Sequence, residues 1–234
     1  MARLSRGYVD GLLPARQWIE ENLQIRDEVP AIVPLRYTKQ QAQLDRLARQ
    51  QEEQGKPVRI IGLKPRKGRF STWVEAEIYA RLRRRPNQAA MIVAHDAQGS
   101  NTLYEMFQRF HQFDPNPLPT TKNNQHRLIF APPHSSQITV STAGNDTAGS
   151  SQTNHAVHIS EFAKWPRGTE EAVFLSLMGT IPKHHPDTFA AIESTAYGAV
   201  GLFYEMWKDA IAGKGIWLPY FFGWWEVDHY RLPV

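Results

Sequence analysis

The segment between residues 62 and 72 reads Gly62-Leu63-Lys64-Pro65-Arg66-Lys67-Gly68-Arg69-Phe70-Ser71-Thr72. It follows a β-branched run at residues 58–61 and precedes a stretch with helical periodicity, which predicts a tight turn between a buried strand and a helix N-terminus. Such a turn directs backbone N–H groups and the positive helix end at one point, an arrangement that suits a nucleotide triphosphate. The regular phosphate-loop pattern is absent, because five residues separate Gly62 from Gly68 and Arg69-Phe70 precede Ser71. For this segment alone, a basic turn that binds no ligand stays open.

The composition narrows the class of protein. The chain has 234 residues, 41% of them hydrophobic and none of them cysteine, which suits one large α/β domain with or without a small appendage. No apolar run approaches the roughly 20 residues that span a bilayer, and residues 1–24 are too charged for a signal peptide. We therefore predict an intracellular protein with no membrane partner. The formal net charge of +4 permits a polyanionic partner without establishing one.

Segments with strand and helix patterns alternate along the chain. Strands are predicted at residues 58–63, 89–94, 128–130, 137–141, 156–159, 188–192 and 216–222. Helices are predicted at residues 14–24, 38–54, 72–85, 100–110, 169–178 and 201–212, and loops at 113–126 and 144–154. Thr38 caps its helix, with Gln41 as the capping-box partner. The alternation predicts an α/β fold with a mainly parallel sheet, helices on both faces and a small N-terminal appendage.

Ligands of such sheets bind at the carboxyl ends of the strands, where two further groups of polar residues lie. Strand 156–159 runs into Ser160-Glu161, the position of a carboxylate that orients an attacking water or reaches a Mg²⁺ shell; a solvent-exposed glutamate is the alternative. Strand 188–192 runs into Glu193-Ser194-Thr195, whose hydroxyls suit a γ-phosphate; a helix N-cap before residue 201 is the alternative. The order of the three motifs predicts a nucleotide hydrolase of the RecA-like, additional-strand P-loop class.

Four motifs in collinear order resemble the N-terminal ATPase domain of bacteriophage terminase large subunits, the DNA-packaging motors, over about residues 30–231. Residues 63–72 resemble their deviant Walker A loop, and residues 158–165 their Walker B strand with its catalytic glutamate. Residues 192–198, with the helix segment at 203–207, are similar to their coupling motif. The segment 34–41 is similar to their adenine-contacting region.

The resemblance implies a role for each matching residue. Glu161 positions the attacking water, Arg66 assists at the phosphates, and Ser71 and Glu161 hold Mg²⁺. Glu193, Ser194 and Thr195 sense the γ-phosphate and couple its loss to motion. The residues expected to contact ATP are Gln41 at the adenine and, in the loop, Lys64, Pro65, Arg66, Lys67, Gly68, Arg69, Phe70, Ser71 and Thr72.

The chain departs from the family pattern at three places. Arg69 stands where the family has a glycine before the aromatic residue, and Ser160 stands where the Walker B strand has an aspartate. No arginine lies between Leu128 and Pro166 to serve a neighbouring subunit as a finger. The remaining candidates for that finger are Arg109, Arg127 and Arg167.

The resemblance also implies the biological setting. It implies Mg²⁺-dependent ATP hydrolysis that drives double-stranded DNA into a viral procapsid, in the host cytoplasm and transiently on the procapsid. The implied partners are DNA, the portal protein, the small terminase subunit and further copies of the chain in a ring. Two alternatives stay open: a helicase or repair-type DNA-dependent ATPase, and a non-enzymatic DNA-binding adaptor with a degenerate P-loop.

The same resemblance predicts the domain organisation. Residues 1–56 are expected to form an appendage or lid segment with the adenine-contacting region, residues 57–222 the P-loop ATPase core, and residues 223–234 the start of a linker to a nuclease domain. No downstream cluster of carboxylates is present in this sequence, so nuclease activity is not expected of it. Adjacent His184 and His185, and the pair His155 and His158, are not expected to share a metal ion.

Overall fold

The computed structural model describes residues 14–144, 152–227 and 230. The helices in these residues are α1 (Ala15–Asn22), α2 (Lys39–Glu53), α3 (Phe70–Arg84), α4 (Ala97–Phe113), α5 (Glu170–Gly179) and α6 (Leu202–Ile211). The strands are β1 (Gln24–Arg26), β2 (Ile32–Pro34), β3 (Val58–Leu63), β4 (Ala89–Ala94), β5 (Thr120–Asn123), β6 (Arg127–Phe130), β7 (Gln137–Thr142), β8 (Ala156–Ser160), β9 (Phe189–Ser194) and β10 (Leu218–Phe221). Short 3₁₀ helices lie at Phe162–Lys164 and Trp224–Glu226.

Eight strands form one sheet in the order β10-β3-β9-β8-β4-β7-β6-β5. All pairs from β10 to β7 are parallel, and the last two pairs are antiparallel. The predicted, mainly parallel sheet is therefore confirmed, as is the hairpin of β6 and β7. Strand β9 lies between β3 and β8, so the carboxyl ends of these three strands are adjacent. The phosphate-loop candidate and both polar strand ends thus lie at one edge of the sheet.

Helices cover both faces of the sheet, each over its own apolar cluster. On one face, Trp73 and Ile78 of α3 pack in a cluster that includes Ile60 of β3. On the other face, Leu177 of α5 packs in a cluster that includes Ile61 of the same strand. Because neighbouring residues of a strand point to opposite faces, the continuous apolar run of β3 is what a strand buried on both sides requires.

One glycine of β3 fixes how closely α3 approaches the sheet. A Cβ placed on Gly62 would lie 2.3 Å from the ring of Phe70, the first residue of α3. Phe70 is itself only 1% exposed, so its ring has little room to move away. The glycine is therefore a packing requirement, and it lies directly before the loop that connects β3 to α3.

We expect Gly62→Ala to lower the free energy of unfolding by about 1–3 kcal/mol, because overpacking a filled core forces side chains out of their rotamers. The measurement is urea denaturation followed by circular dichroism. Gly179→Ala is the matched control, since an added Cβ there would meet nothing within 4 Å. A Gly62→Ala protein as stable as the parent would contradict the predicted clash.

The structure differs from the predicted elements at several boundaries. Helix α3 begins at Phe70 rather than at residue 72, because Arg69 takes a left-handed conformation and acts as its N-cap. Helix α4 begins at Ala97, since the Asp96 side chain accepts from Gly99 N at 2.7 Å. The predicted loop 113–126 contains strand β5, which pairs with β6.

The N-terminal region contains a hairpin that the sequence did not predict. Strands β1 and β2 pair antiparallel, with Ile25 opposite Val33. The capping box of Thr38 and Gln41 at the start of α2 is confirmed. Part of the predicted loop 144–154 and the ends of the predicted appendage and linker lie outside the described residues, so the three-part division stays a prediction.

Candidate functional site

The loop between β3 and α3 is bent by residues in unusual backbone conformations. Lys67 and Arg69 are both left-handed, with φ of 54° and 56°. Between them, a Cβ on Gly68 would lie 2.5 Å from the ring of Phe222. The loop therefore packs against the segment after β10 and turns tightly before the helix N-terminus, as the sequence predicted.

Lys64 lies at the centre of the site. Its Nζ is 2.6 Å from Glu161 Oε1 and 3.1 Å from Glu193 Oε2, and its backbone N–H donates to Ser194 O at 3.1 Å. Burial disfavours the ammonium ion, but the carboxylates of Glu193 and Glu161 outweigh this effect and raise the pKa of Lys64. The lysine is thus a fixed cation between two strand ends.

Glu193 is a fully buried carboxylate inside β9 rather than after it. Its Oε1 accepts hydrogen bonds from Ser71 Oγ at 2.9 Å and from Ser160 Oγ at 2.7 Å. Burial favours the neutral acid, but Lys64 and these donors, together with His158, hold the pKa of Glu193 well below its usual range. A negative charge is therefore kept behind the start of α3.

Glu161 follows β8 directly and is ion-paired, so the alternative of a solvent-exposed side chain is wrong. Its side chain is 15% exposed, and its Oε2 lies 2.6 Å from Lys164 Nζ. Burial and the charge of Glu193 raise its pKa, yet Lys64 and Lys164 outweigh them and lower it. Glu161 also has a left-handed backbone with φ of 51°. Its charged, partly exposed carboxylate faces the loop cation.

Two hydroxyl residues connect the ends of β9 and β8. Thr195 Oγ1 donates to Glu161 Oε2 at 2.9 Å. Ser194 Oγ accepts from Ala163 N at 3.2 Å. These hydroxyls do not cap α6, whose N-cap residue is Gly201, so the helix-cap alternative is wrong. The three residues predicted for coupling thus contact both the loop lysine and the candidate catalytic carboxylate.

Two site residues, Glu75 and His158, were missed by the sequence analysis. His158 Nδ1 lies 2.6 Å from Glu75 Oε1, and His158 Nε2 lies 3.5 Å from Glu193 Oε1, all fully buried. Burial opposes protonation of His158, but hydrogen bonds and charges of Glu193 and Glu75 raise its pKa to about 9. Burial raises the pKa of Glu75. Their signal in the sequence is a polar residue on an apolar strand and on the apolar side of a helix.

Gln41, predicted at the adenine, is buried beside the loop. Its Oε1 accepts from Thr38 N at 2.9 Å, and its Nε2 donates to Arg69 O at 2.9 Å. The glutamine therefore bonds both to the start of α2 and to the phosphate-loop candidate. An adenine contact stays a prediction.

Three basic residues of the loop point away from this buried cluster. Arg66 and Lys67 are exposed, and the carbonyl of Arg66 accepts from Tyr230 Oη at 3.0 Å. The Arg69 side chain is half-exposed and lies 3.3 Å from Asp27 Oδ1 in the segment that connects β1 to β2. The catalytic role predicted for Arg66 stays a prediction.

A cavity of about 410 Å³ lies in front of the loop. It is lined by Lys64, by the stretch Lys67 to Thr72 and, from α4, by Arg109, while Pro65 and Arg66 are outside its described lining. A second cavity, of about 350 Å³, is lined by Glu161 and Ser160. These volumes lie in the range of small-molecule sites. A larger cavity, of about 850 Å³, lies around Arg59 and Trp217 at the other end of β3, away from these residues.

The site fits a magnesium ion that is held mainly by its nucleotide. Within the described residues, no three His, Asp or Glu side chains are arranged to hold a metal ion by themselves. P-loop sites do not need such a group, because one hydroxyl and the phosphates supply ligands and a carboxylate acts from outside. Ser71 in the first turn of α3, with Glu193 behind it, provides that combination.

The sequence matches no protein-family model and no curated protein. Similar solved structures exist. The large terminase of bacteriophage HK97 superposes with a TM-score of 0.67 at 15% identity, over 86% of this chain and 41% of that one. The Thermus phage P74-26 large terminase ATPase domain gives 0.60 at 19%, over 84% of each chain. The large terminase of another thermophilic bacteriophage, in complex with ADP, gives 0.56 at 13%, over 84% and 48%.

These likenesses identify the fold. The chain has the RecA-like α/β fold of phage large terminase ATPase domains, with an eight-stranded, mostly parallel sheet. It spans less than half of the two full-length terminases and most of the isolated ATPase domain. Across the described parts of the chain, every helix is too short or too polar to cross a lipid bilayer.

Proposed function

We propose that this chain is the ATPase domain of a viral DNA-packaging motor, in which Mg²⁺-dependent ATP hydrolysis moves double-stranded DNA into a procapsid. One observation carries the ATPase proposal: Lys64 at the end of β3 and Glu161 at the end of β8 meet at 2.6 Å. A cation for phosphates and a carboxylate for water, on strands separated by one other, is the arrangement that phosphoryl transfer to water requires.

The residues of the site suggest a division of labour. Lys64 would exchange its two carboxylate partners for the phosphates, which frees Glu161 to orient a water and accept its proton. A magnesium ion, when bound through Ser71, supplies charge neutralisation at the phosphate oxygens. Thr195, bonded to Glu161 in the described state, would report the loss of the γ-phosphate to β9. Backbone N–H groups at the start of α3 would bind the remaining phosphate charge.

The packaging role is supported by the fold and by charge. Three phage large terminases share the fold, and the chain carries a formal net charge of +4. Packaging must accept any sequence, so contacts to DNA phosphates through Lys and Arg are expected. The portal protein, the small terminase subunit, a ring of copies and assembly in the host cytoplasm belong to the same proposal.

The proposed function is tested by a nucleotide titration followed by phosphate release with and without double-stranded DNA. We expect micromolar to millimolar ATP binding that needs Mg²⁺ for turnover. Absence of ATP binding by the folded chain would favour a DNA-binding adaptor. Hydrolysis coupled to strand separation, independent of portal and procapsid, would favour a helicase.

The ATPase rate is expected to rise with protein concentration or on assembly. Arginine fingers are worth roughly 10³–10⁵ in rate, and the segment between Leu128 and Pro166 contains no arginine. Arg167 is exposed and free to reach a neighbouring copy, whereas Arg109 lines the chain's own cavity. The measurement is specific activity against concentration, with mass determined by light scattering. A constant specific activity in a monomer, lost in Arg109→Ala but kept in Arg167→Ala, would instead place the finger within one chain.

A further inference from the structure

The buried carboxylate of Glu193 lies at the junction of the three central strands. In the register of the sheet, Glu193 is opposite Gly62 of β3 on one side and Ser160 of β8 on the other. The rest of β9 is Phe-Ala-Ala-Ile before it and Ser after it, so the glutamate interrupts an apolar strand. A buried carboxylate is costly unless it is paired and hydrogen-bonded, and a neutral residue at this position would avoid that cost.

The contacts of Glu193 connect it to the residues expected at the phosphates, but it does not line the cavities beside them. Its Oε1 is shared by the hydroxyls of Ser71 and Ser160, at 2.9 and 2.7 Å, and its Oε2 lies 3.1 Å from Lys64 Nζ. The described linings of the two cavities at this edge include Ser71, Lys64 and Ser160 but not Glu193. Glu193 therefore acts from behind these side chains.

In P-loop hydrolases, a strand-end aspartate usually completes the magnesium site behind the helix hydroxyl. That position in this chain is Ser160, which carries no charge and donates its own hydrogen bond to Glu193. The negative charge is thus present one strand away and bonded to the same helix hydroxyl, Ser71. Thr195, not Glu193, is the residue of β9's end that contacts the candidate catalytic Glu161.

We infer that Glu193 is the positioning residue for the magnesium ion, supplying from β9 the carboxylate that Ser160 does not supply from β8. This inference rests on the proposed ATPase function. Glu193 would orient Ser71 by accepting its proton, so that the hydroxyl lone pairs face the ion, and its charge would raise the affinity of the site for a divalent cation. The chemistry would stay the same while the carboxylate moves by one strand.

The test is a Mn²⁺ titration, read by electron paramagnetic resonance, of the whole chain saturated with ADP. We expect Glu193→Gln to weaken Mn²⁺ binding by roughly 10- to 100-fold, the scale for losing an outer partner of a metal ligand. ADP affinity in EDTA, measured by calorimetry, should stay within about three-fold. The exposed Glu105→Gln is the matched control and should change neither quantity.

A carboxylate returned to β8 distinguishes a metal-positioning role from a structural one. The double variant Ser160→Asp/Glu193→Gln should regain Mn²⁺ affinity to within about three-fold of the parent. It also carries the test if Glu193→Gln alone fails to fold, because it keeps one carboxylate beside Lys64. Unchanged Mn²⁺ affinity in Glu193→Gln, or weak binding by a folded double variant, would overturn the inference. A parent chain that binds no ADP or ATP would instead refute the proposed function.

Discussion

Glu161→Gln is expected to lower ATP hydrolysis by roughly two or more orders of magnitude while ATP affinity stays within a few-fold of the parent. Glutamine keeps the size and hydrogen-bonding capacity of the side chain but removes its charge. Glu161 is the partly exposed carboxylate beside Lys64, and its pKa is lowered by Lys64 and Lys164 against the effect of burial, so it is ionised and able to accept a proton. Ser160 next to it carries no charge.

The measurement pairs single-turnover phosphate release with calorimetric titration of a non-hydrolysable ATP analogue. Glu105→Gln, an exposed glutamate on α4, is the matched control and should behave as the parent. Hydrolysis by Glu161→Gln at the parental rate would show that Glu161 is not catalytic. Loss of binding together with hydrolysis would show a structural or metal-holding role, and Glu193 would then be the next candidate for the base.

Lys64→Ala is expected to weaken ATP binding by roughly 10- to 100-fold, since hydrogen bonds to charged groups are worth about 1.5–3 kcal/mol each. The same substitution leaves Glu161 and the fully buried Glu193 without their shared cation. Breaking a buried ion pair costs about 3–5 kcal/mol, so the free energy of unfolding should fall by that amount. Stability and binding are therefore expected to fall together at this one lysine.

Lys67→Ala separates the two basic positions of the loop. Lys67 is exposed, and no ion pair fixes its side chain within the described residues, so we expect binding within about three-fold of the parent and unchanged stability. Calorimetric titration gives the affinity, and urea denaturation gives the stability of both variants at one temperature. A larger loss of ATP affinity in Lys67→Ala than in Lys64→Ala would show that the loop binds phosphates in another register.

The central part of the fold could be predicted from the sequence because its strands are buried on both faces. Strands β3, β4 and β8 are continuous apolar runs bounded by turn residues, and their ends were predicted to within one residue. The insertion of β9 between β3 and β8 could not be predicted from the local pattern, because strand order depends on how helices pack over the sheet.

Short and exposed elements escaped prediction for a physical reason. Strand β5 is polar and mostly exposed at the sheet edge, and the hairpin of β1 and β2 has three residues in each strand. Neither contains enough apolar positions for a period of two to be visible. The start of α3 was misplaced because a left-handed Arg69 at the N-cap has no signal in an arginine side chain.

The candidate site was predicted in its parts but not in its connections. Lys64, Ser71, Glu161 and Glu193 were all selected from their places after strands or before a helix. Their mutual ion pairs depend on strand adjacency, which only the folded chain supplies. Glu75 was overlooked because its helix is buried on most sides, so periodicity does not single out a polar position.

The left-handed backbone at Lys67, Arg69 and Glu161 sets heat resistance against turnover. A side chain with a Cβ is held in this conformation at an expense of about 1–2 kcal/mol per residue, which glycine would avoid. Natural selection for activity keeps three such residues around one cavity edge. A laboratory selection for thermal tolerance alone would be drawn to glycine at these positions, and at Glu161 each gain in melting temperature would remove the carboxylate. In this chain, durability and work therefore compete for the same few backbone angles.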